Sequence, residues 1–276
     1  MKEITLIKGL RILLLILICL MCIIPFYVLL VLSLNAPSRV FYEGNLFIPT
    51  FAWSNFADAW EKSRIGTAMV NSSVITFGTL GLTILLGGMA GYAIARRYTW
   101  YNKAVFSLFI GCMMIPGIIN TVPLYSLMRR IHAVNTLWGM ILVCSTLALP
   151  SAVFIYTTFI RALPRELDEA AEVDGCTGMR AFWQVIFPVL KPATASFVIL
   201  NGFGIWNNYA QAAFFLQTRD RQNIPQALSV FFQQFGGAKW HLMSATAVIA
   251  IVPVVVIFLI FQQQFIEGLT EGAVKG

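Results

Sequence analysis

Charge is scarce in this sequence. Only 11% of its 276 residues are Asp, Glu, Lys or Arg, while 58% are hydrophobic. A soluble domain carries about 25% charged residues, and its core has no use for long unbroken apolar runs. A soluble bundle of greasy helices is therefore excluded. Histidine is nearly missing. His132 and His241 stand alone near the expected outer ends of apolar stretches, so neither a Ser-His-Asp triad nor a metal-ligand cluster can be built. No Gly is followed directly by Lys, so the chain lacks a phosphate-cradling P-loop. These gaps argue against an enzyme. The five cysteines form no disulfide framework. Cys19, Cys22, Cys112 and Cys144 fall inside apolar stretches, and the C-x-x-C spacing of the first two has no βαβ context, which fits packing in lipid. The net charge of +7 comes from basic residues standing singly between apolar runs. There is no basic stripe and no nucleic-acid motif. Loops that favour anionic headgroups account for it.

What is abundant is apolar sequence in lengths that match a bilayer, which takes about 20 residues per helix. The fold class expected is an all-α integral membrane protein with six transmembrane helices in a single transmembrane domain, 1–276. The spans read as Gly9–Leu34, Met69–Ala95, Ala104–Met128, Leu137–Ile160, Ala193–Leu216 and Leu242–Phe265. The first follows a basic start (Lys2, Lys8, Arg11), but it is too long for a signal-peptide core and no A-x-A site follows. It reads as retained. Of the 19 Lys and Arg residues, eleven fall on the side of the N-terminus and eight on the other. That bias puts both termini in the cytoplasm. The aromatic segment with Phe51, Trp53, Phe56 and Trp60 suits the membrane interface. Gly87, Gly91 and Ala95, spaced by four, line a helix face that another helix can approach closely. Pro116 and Pro253 lie inside spans and can bend them. Every Asp and Glu falls in a loop, a span end or a tail, whereas an ion-coupled carrier needs ionisable residues at mid-span.

Between spans four and five, the segment Arg161–Pro192 is polar where its neighbours are not. Pro164 suits a first helical turn. Glu166, Asp168 and Glu169 favour the positive end of a helix dipole. Gly175 is placed to end that helix in a left-handed conformation. A second short helix is expected from Thr177 to Phe187, ended by Pro188. The result is helix, sharp turn, helix, with small exposed residues that suit a partner's groove.

Glu169-Ala170-Ala171, three residues, Gly175, nine residues and Val185-x-Phe187-Pro188 together resemble the EAA loop of bacterial ABC import permeases. The usual ending there is Ile-x-Leu-Pro, and the apolar replacements keep its packing character. Asp174 before Gly175 resembles the sugar-importer version. Asn71-Ser72, Pro116 with Pro123-Leu124-Tyr125, Trp206-Asn207-Asn208-Tyr209 and the tail from Gly268 to Gly276 resemble further family segments, the tail that of maltose-type subunits.

The resemblance implies a permease subunit of a sugar or oligosaccharide importer in a bacterial or archaeal cytoplasmic membrane. The alternative keeps the class and changes the cargo to an amino acid, peptide or phosphate. Implied partners are a second homologous permease subunit, two cytoplasmic ABC ATPase subunits, an extracytoplasmic solute-binding protein and the carbohydrate. The ATPases bind ATP and Mg; this chain binds no cofactor. Glu169, Ala170, Ala171, Asp174, Gly175 and Pro188 would form the coupling element that docks on the ATPase. For the substrate pathway, Asn120, Thr121, Asn201, Trp206, Asn207, Asn208 and Gln211 qualify by type. Hydrogen bonding between helices is the competing role for them. In the connector Gln217–Trp240, the residues Gln233, Gln234, Phe235, Gly236 and Gly237 are candidates for contact with the binding protein.

Overall fold

Backbone in lipid must pair its own N–H and C=O groups, which leaves helices or closed barrels. The computed structural model describes residues 2–36, 47–233 and 239–273, and among them every regular element is helical. The chain divides into two units, residues 1–66 with 227–254 and residues 67–226 with 255–276.

The first unit holds α1 (Lys2–Ser33), α2 (Ser54–Ser63), the start of α3 (Ile65–Arg96), the end of α12 (Ile224–Gln233) and the first part of α13 (Trp240–Ala273). From Leu10 to Tyr27, the large apolar side chains of α1 are exposed, as a lipid-facing helix requires. The buried Asn55 amide donates to Ser33 O at 2.9 Å and Asn35 O at 2.8 Å. It thereby pairs carbonyls that the end of α1 leaves open. The aromatic segment expected at the interface contains α2, with Trp53 and Trp60 exposed. Arg64, in the left-handed region at φ 52°, stops it.

The second unit is built from the rest of α3, α4 (Trp100–Met113), α5 (Thr121–Arg130), α6 (Leu137–Ala162), a run of short helices, α10 (Lys191–Trp206) and α11 (Ala210–Phe215). Its core centres on Met140, Tyr156, Phe182, Ile186, Phe197 and Phe215, all fully buried. The small face of α3 does what its spacing predicts. A Cβ built on Gly87 would lie 2.5 Å from that of Ala152, and one on Gly91 would lie 2.8 Å from Tyr156 Cβ. The two backbones of α3 and α6 therefore meet with nothing between them.

The six-span expectation is met only in part. Among the described residues, three helices are long and apolar enough to cross a membrane, at Lys8–Ser33, Ile65–Arg96 and Leu137–Ala162. A fourth arises if the pair Met179–Val189 and Lys191–Trp206, bent by 73°, is one span. The expected third span is broken between Met113 and Thr121, and the expected fifth between Trp206 and Ala210. Pro116 and Gly117 in the first break, and Asn207 and Asn208 in the second, are poor helix formers. The span expected from Leu242 lies within the 34-residue α13.

Replacing Gly91 by Val should overpack the α3–α6 contact and cost about 1–3 kcal/mol. Gly81, where a Cβ meets nothing within 4 Å, is the control. Thermal unfolding in detergent should show a lowered midpoint for Gly91→Val and none for Gly81→Ala.

Candidate functional site

The polar segment after α6 folds as a short helix, a sharp turn and a second helical run. The first helix, α7, spans Glu166–Val173 with Arg165 at its N-cap. Pro164 therefore precedes the helix rather than sitting in its first turn, a shift of two residues. Glu166, Asp168 and Glu169 occupy that turn, where negative charge opposes the unpaired N–H groups. At the other end, Gly175 N donates to Glu172 O at 3.0 Å and Cys176 N to Ala171 O at 2.8 Å. Those two bonds make a Schellman motif, which requires a left-handed residue. Gly175 supplies it at φ 79°. Gly178, at φ 56° and ψ −120°, is the second position that only glycine adopts readily.

The second helical run departs from expectation. It begins at Met179 rather than Thr177 and passes through Pro188: α8 (Met179–Ala181), a π-helical turn at Phe182–Ile186 and α9 (Phe187–Val189). Proline normally interrupts a helix because its ring clashes with the preceding turn. Here that turn is widened, and Phe187 N donates to Phe182 O five residues back. The break falls instead at Leu190.

One face of α7 turns inward. Ala171 is buried, while Glu169, Ala170, Glu172, Val173, Asp174 and Gly175 are exposed, as is Pro188 in α9. Val173 is 88% exposed, unusual for a β-branched apolar side chain beside a membrane domain. Asp168 also points inward. Its Oδ1 accepts from Tyr92 Oη at 2.8 Å, and its Oδ2 lies 2.7 Å from Arg96 Nη2. Both charged side chains are largely covered, at 13% and 18% exposure. Oδ2 and Arg96 Nε make no directed hydrogen bond among the described residues, so proximity of charge holds that side of the pair. Arg96 Nη1 also donates to Ile160 O at 3.0 Å and Leu163 O at 3.2 Å. Those carbonyls end α6, where a cation is favoured. One guanidinium thus joins the ends of α3, α6 and α7.

The polar residues proposed for the pathway are distributed differently. Gln211 is buried; its Nε2 donates to Gly117 O at 3.3 Å, and its Oε1 accepts from Thr121 Oγ1 at 3.2 Å. It ties the break before α5 to α11. Asn208 Oδ1 accepts from Gln211 N at 3.0 Å. Asn201 Nδ2 donates to Ser151 Oγ and to Phe197 O, both at 3.2 Å. Asn207, exposed, donates to Phe203 O. Asn120 and Trp206 are half-buried at the two breaks. Beside these breaks a cavity of about 290 Å³ is lined by Thr121, Val122, Tyr125, Ser126, Phe214 and Gln217. Of the proposed binding-protein contacts, Gln233 is the last residue of α12; Gln234, Phe235, Gly236 and Gly237 lie outside the described residues. The connector in which they sit thus contains a ten-residue helix.

Residues 83–270 match the family described as the binding-protein-dependent transport system inner membrane component. The chain belongs to this family. Among curated relatives, the melibiose/raffinose/stachyose import permease protein MelC of Bacillus subtilis is 41% identical over 92% of this chain and 91% of its own. The trehalose transport system permease protein SugB of Mycobacterium tuberculosis is 31% identical over 90% and 92%. A bacterial ABC transporter involved in the import of the acidic polysaccharide alginate shares the fold in its crystal structure. The TM-score is 0.80 at 16% identity, over 95% of this chain and 98% of that one.

In this permease, sequence reading missed Tyr92, Arg96 and Asp168 as a group. The signal was present: Tyr92 and Arg96 stand four apart and so share a helix face. Their partner lies 76 residues from Tyr92, and no local pattern announces it.

A Cβ on Gly175 would meet nothing within 4 Å, so a substitution there strains backbone alone, by about 1–3 kcal/mol. Gly175→Val should speed hydrogen exchange of the Cys176 amide by roughly 5- to 150-fold, whereas Gly175→Asn should change it far less.

Proposed function

We propose that this chain is the transmembrane permease subunit of an ATP-driven, binding-protein-dependent importer for a sugar or oligosaccharide. The observation that carries the reading is the 41% identity over 92% of the chain to a permease of melibiose, raffinose and stachyose import. The subunit crosses the membrane six times, with the broken helices α4/α5 and α10/α11 counted as one span each. Non-helical backbone at membrane depth is tolerated where protein covers it or a cavity adjoins it. Gln211 and the adjoining cavity supply both conditions. The rings of Tyr125 and Phe214 beside Gln217 and Ser126 offer the mix of apolar face and hydrogen-bonding groups that a sugar needs.

Both termini and the α7 loop lie in the cytoplasm. The exposed face of α7, with Glu169, Ala170, Asp174 and Gly175, docks in a groove of an ATPase subunit that binds ATP and Mg. A second homologous permease subunit completes the pore, and the connector that includes Gln233–Gly237 meets the binding protein. A rigid helix closed by a Schellman motif transmits displacement that a flexible loop would absorb.

Three measurements test this reading. A thiol at Thr177→Cys, exposed beside the turn, in a chain otherwise free of cysteine, should be labelled only from the cytoplasmic side; labelling from outside intact cells overturns the topology. Removing a charge-assisted contact by Glu169→Ala should cost about 1.5–3 kcal/mol of docking, so less ATPase should co-purify and uptake should fall. In the reconstituted complex with its binding protein, melibiose or raffinose should stimulate ATP hydrolysis and an amino-acid mixture should not. Stimulation by amino acids alone would refute the sugar assignment.

A further inference from the structure

The covered face of α7 points to a mechanical role. We propose that Arg96 and Tyr92 act as positioning residues that fasten α7 to the end of α3, so that α3 moves with the coupling helix as one body. This rests on the docking role proposed for α7 and adds which membrane helix that role drives.

Four observations converge. Tyr92 and Arg96 approach the same carboxylate from one face of α3, at 2.8 and 2.7 Å. The pair is largely shielded from water, where charge attraction is screened least. The segment after the turn is anchored to the same face: the Phe182 ring lies 5.2 Å from that of Tyr92, and its Cζ is 3.2 Å from the Cβ position of Gly88. Finally, Arg96 holds the last carbonyls of α6, so the connection between α6 and α7 is itself tied to α3. Without that tie, a load on the exposed face of α7 would turn the helix about the connection at Leu163–Arg165. With it, the load passes to the end of α3 at three points. Lysine would keep the charge but lose the fork that reaches a carboxylate and two carbonyls together.

The test uses the assembled complex and needs no knowledge of the cargo. Spin labels at Glu172→Cys on α7 and Tyr98→Cys just beyond α3, both exposed, report the separation of the two elements. They are placed in a chain without other cysteines. Their distance should be the same in the nucleotide-free complex and in the complex trapped with ATP and vanadate. In Asp168→Asn, trapping should change it by about 5 Å, on the order of one helical turn, while the ATPase still co-purifies. A distance that already changes in the unmutated complex overturns the proposal. So does a distance that stays constant in Asp168→Asn. Should Asp168→Asn fail to assemble, Arg96→Gln carries the test, because it removes the charge that holds Asp168 and keeps Tyr92 on Phe182; an unchanged distance there is equally fatal. Loss of the ATPase, by contrast, speaks to the docking of α7 and not to its attachment.

Discussion

The architecture around the loop depends on one guanidinium. Arg96 ends α3, pairs with a carboxylate in the first turn of α7 and caps the α6 terminus by donating to its last carbonyls. Each of these three ends carries groups that a helix cannot pair internally. Arg96 answers those of α6 directly and reaches α7 through Asp168. Removing one partner of such a covered pair leaves the other stranded, a loss of about 3–5 kcal/mol in comparable cases. The orientation of α7 follows from the same contact. Once Asp168 and Ala171 face inward, Glu169, Ala170, Glu172 and Val173 have only the outside left.

Close packing of α3 on α6 is the second constraint, and it serves the first. Gly87 and Gly91 allow the helices to touch at Ala152 and Tyr156, which brings Arg96 within reach of Ile160 and Leu163 one turn further along. In lipid there is little hydrophobic drive for two apolar helices to associate, so small residues and polar contacts decide where they meet. The same logic governs the broken helices. Gln211 is costly to bury, and it is spent on a carbonyl and a hydroxyl at the break before α5. That hydroxyl is Thr121's, which also lines the cavity beside the break.

Much was legible locally. Length and apolarity announced α1, α3 and α6. The Gly87–Gly91 spacing announced a close helix contact, and Gly175 announced the end of α7 with its positive φ. These features are written in windows of a few residues to a few turns. The errors are also informative. Pro188 reads as a stop, yet the π turn ahead of it makes room for the ring. Apolar composition across residues 104–128 reads as one span, although Pro116 and Gly117 break it. Composition reports what a stretch can cross, not whether its backbone stays continuous.

The sequence by itself determined that this chain is helical, that it belongs in a membrane and that a charged helix with a glycine-terminated turn interrupts its apolar run. Those properties follow from residue type and spacing along the chain. Only the tertiary structure decided which of the three acidic residues in the first turn of α7 is tied down. Glu166, Asp168 and Glu169 are alike to any local rule; Asp168 alone meets Arg96 and Tyr92, because α3 lies against the α6 end. An ion pair across 72 residues and a hydrogen bond across 76 depend on where helices come to rest, and that depends on the fit of their surfaces rather than on any segment's own preference.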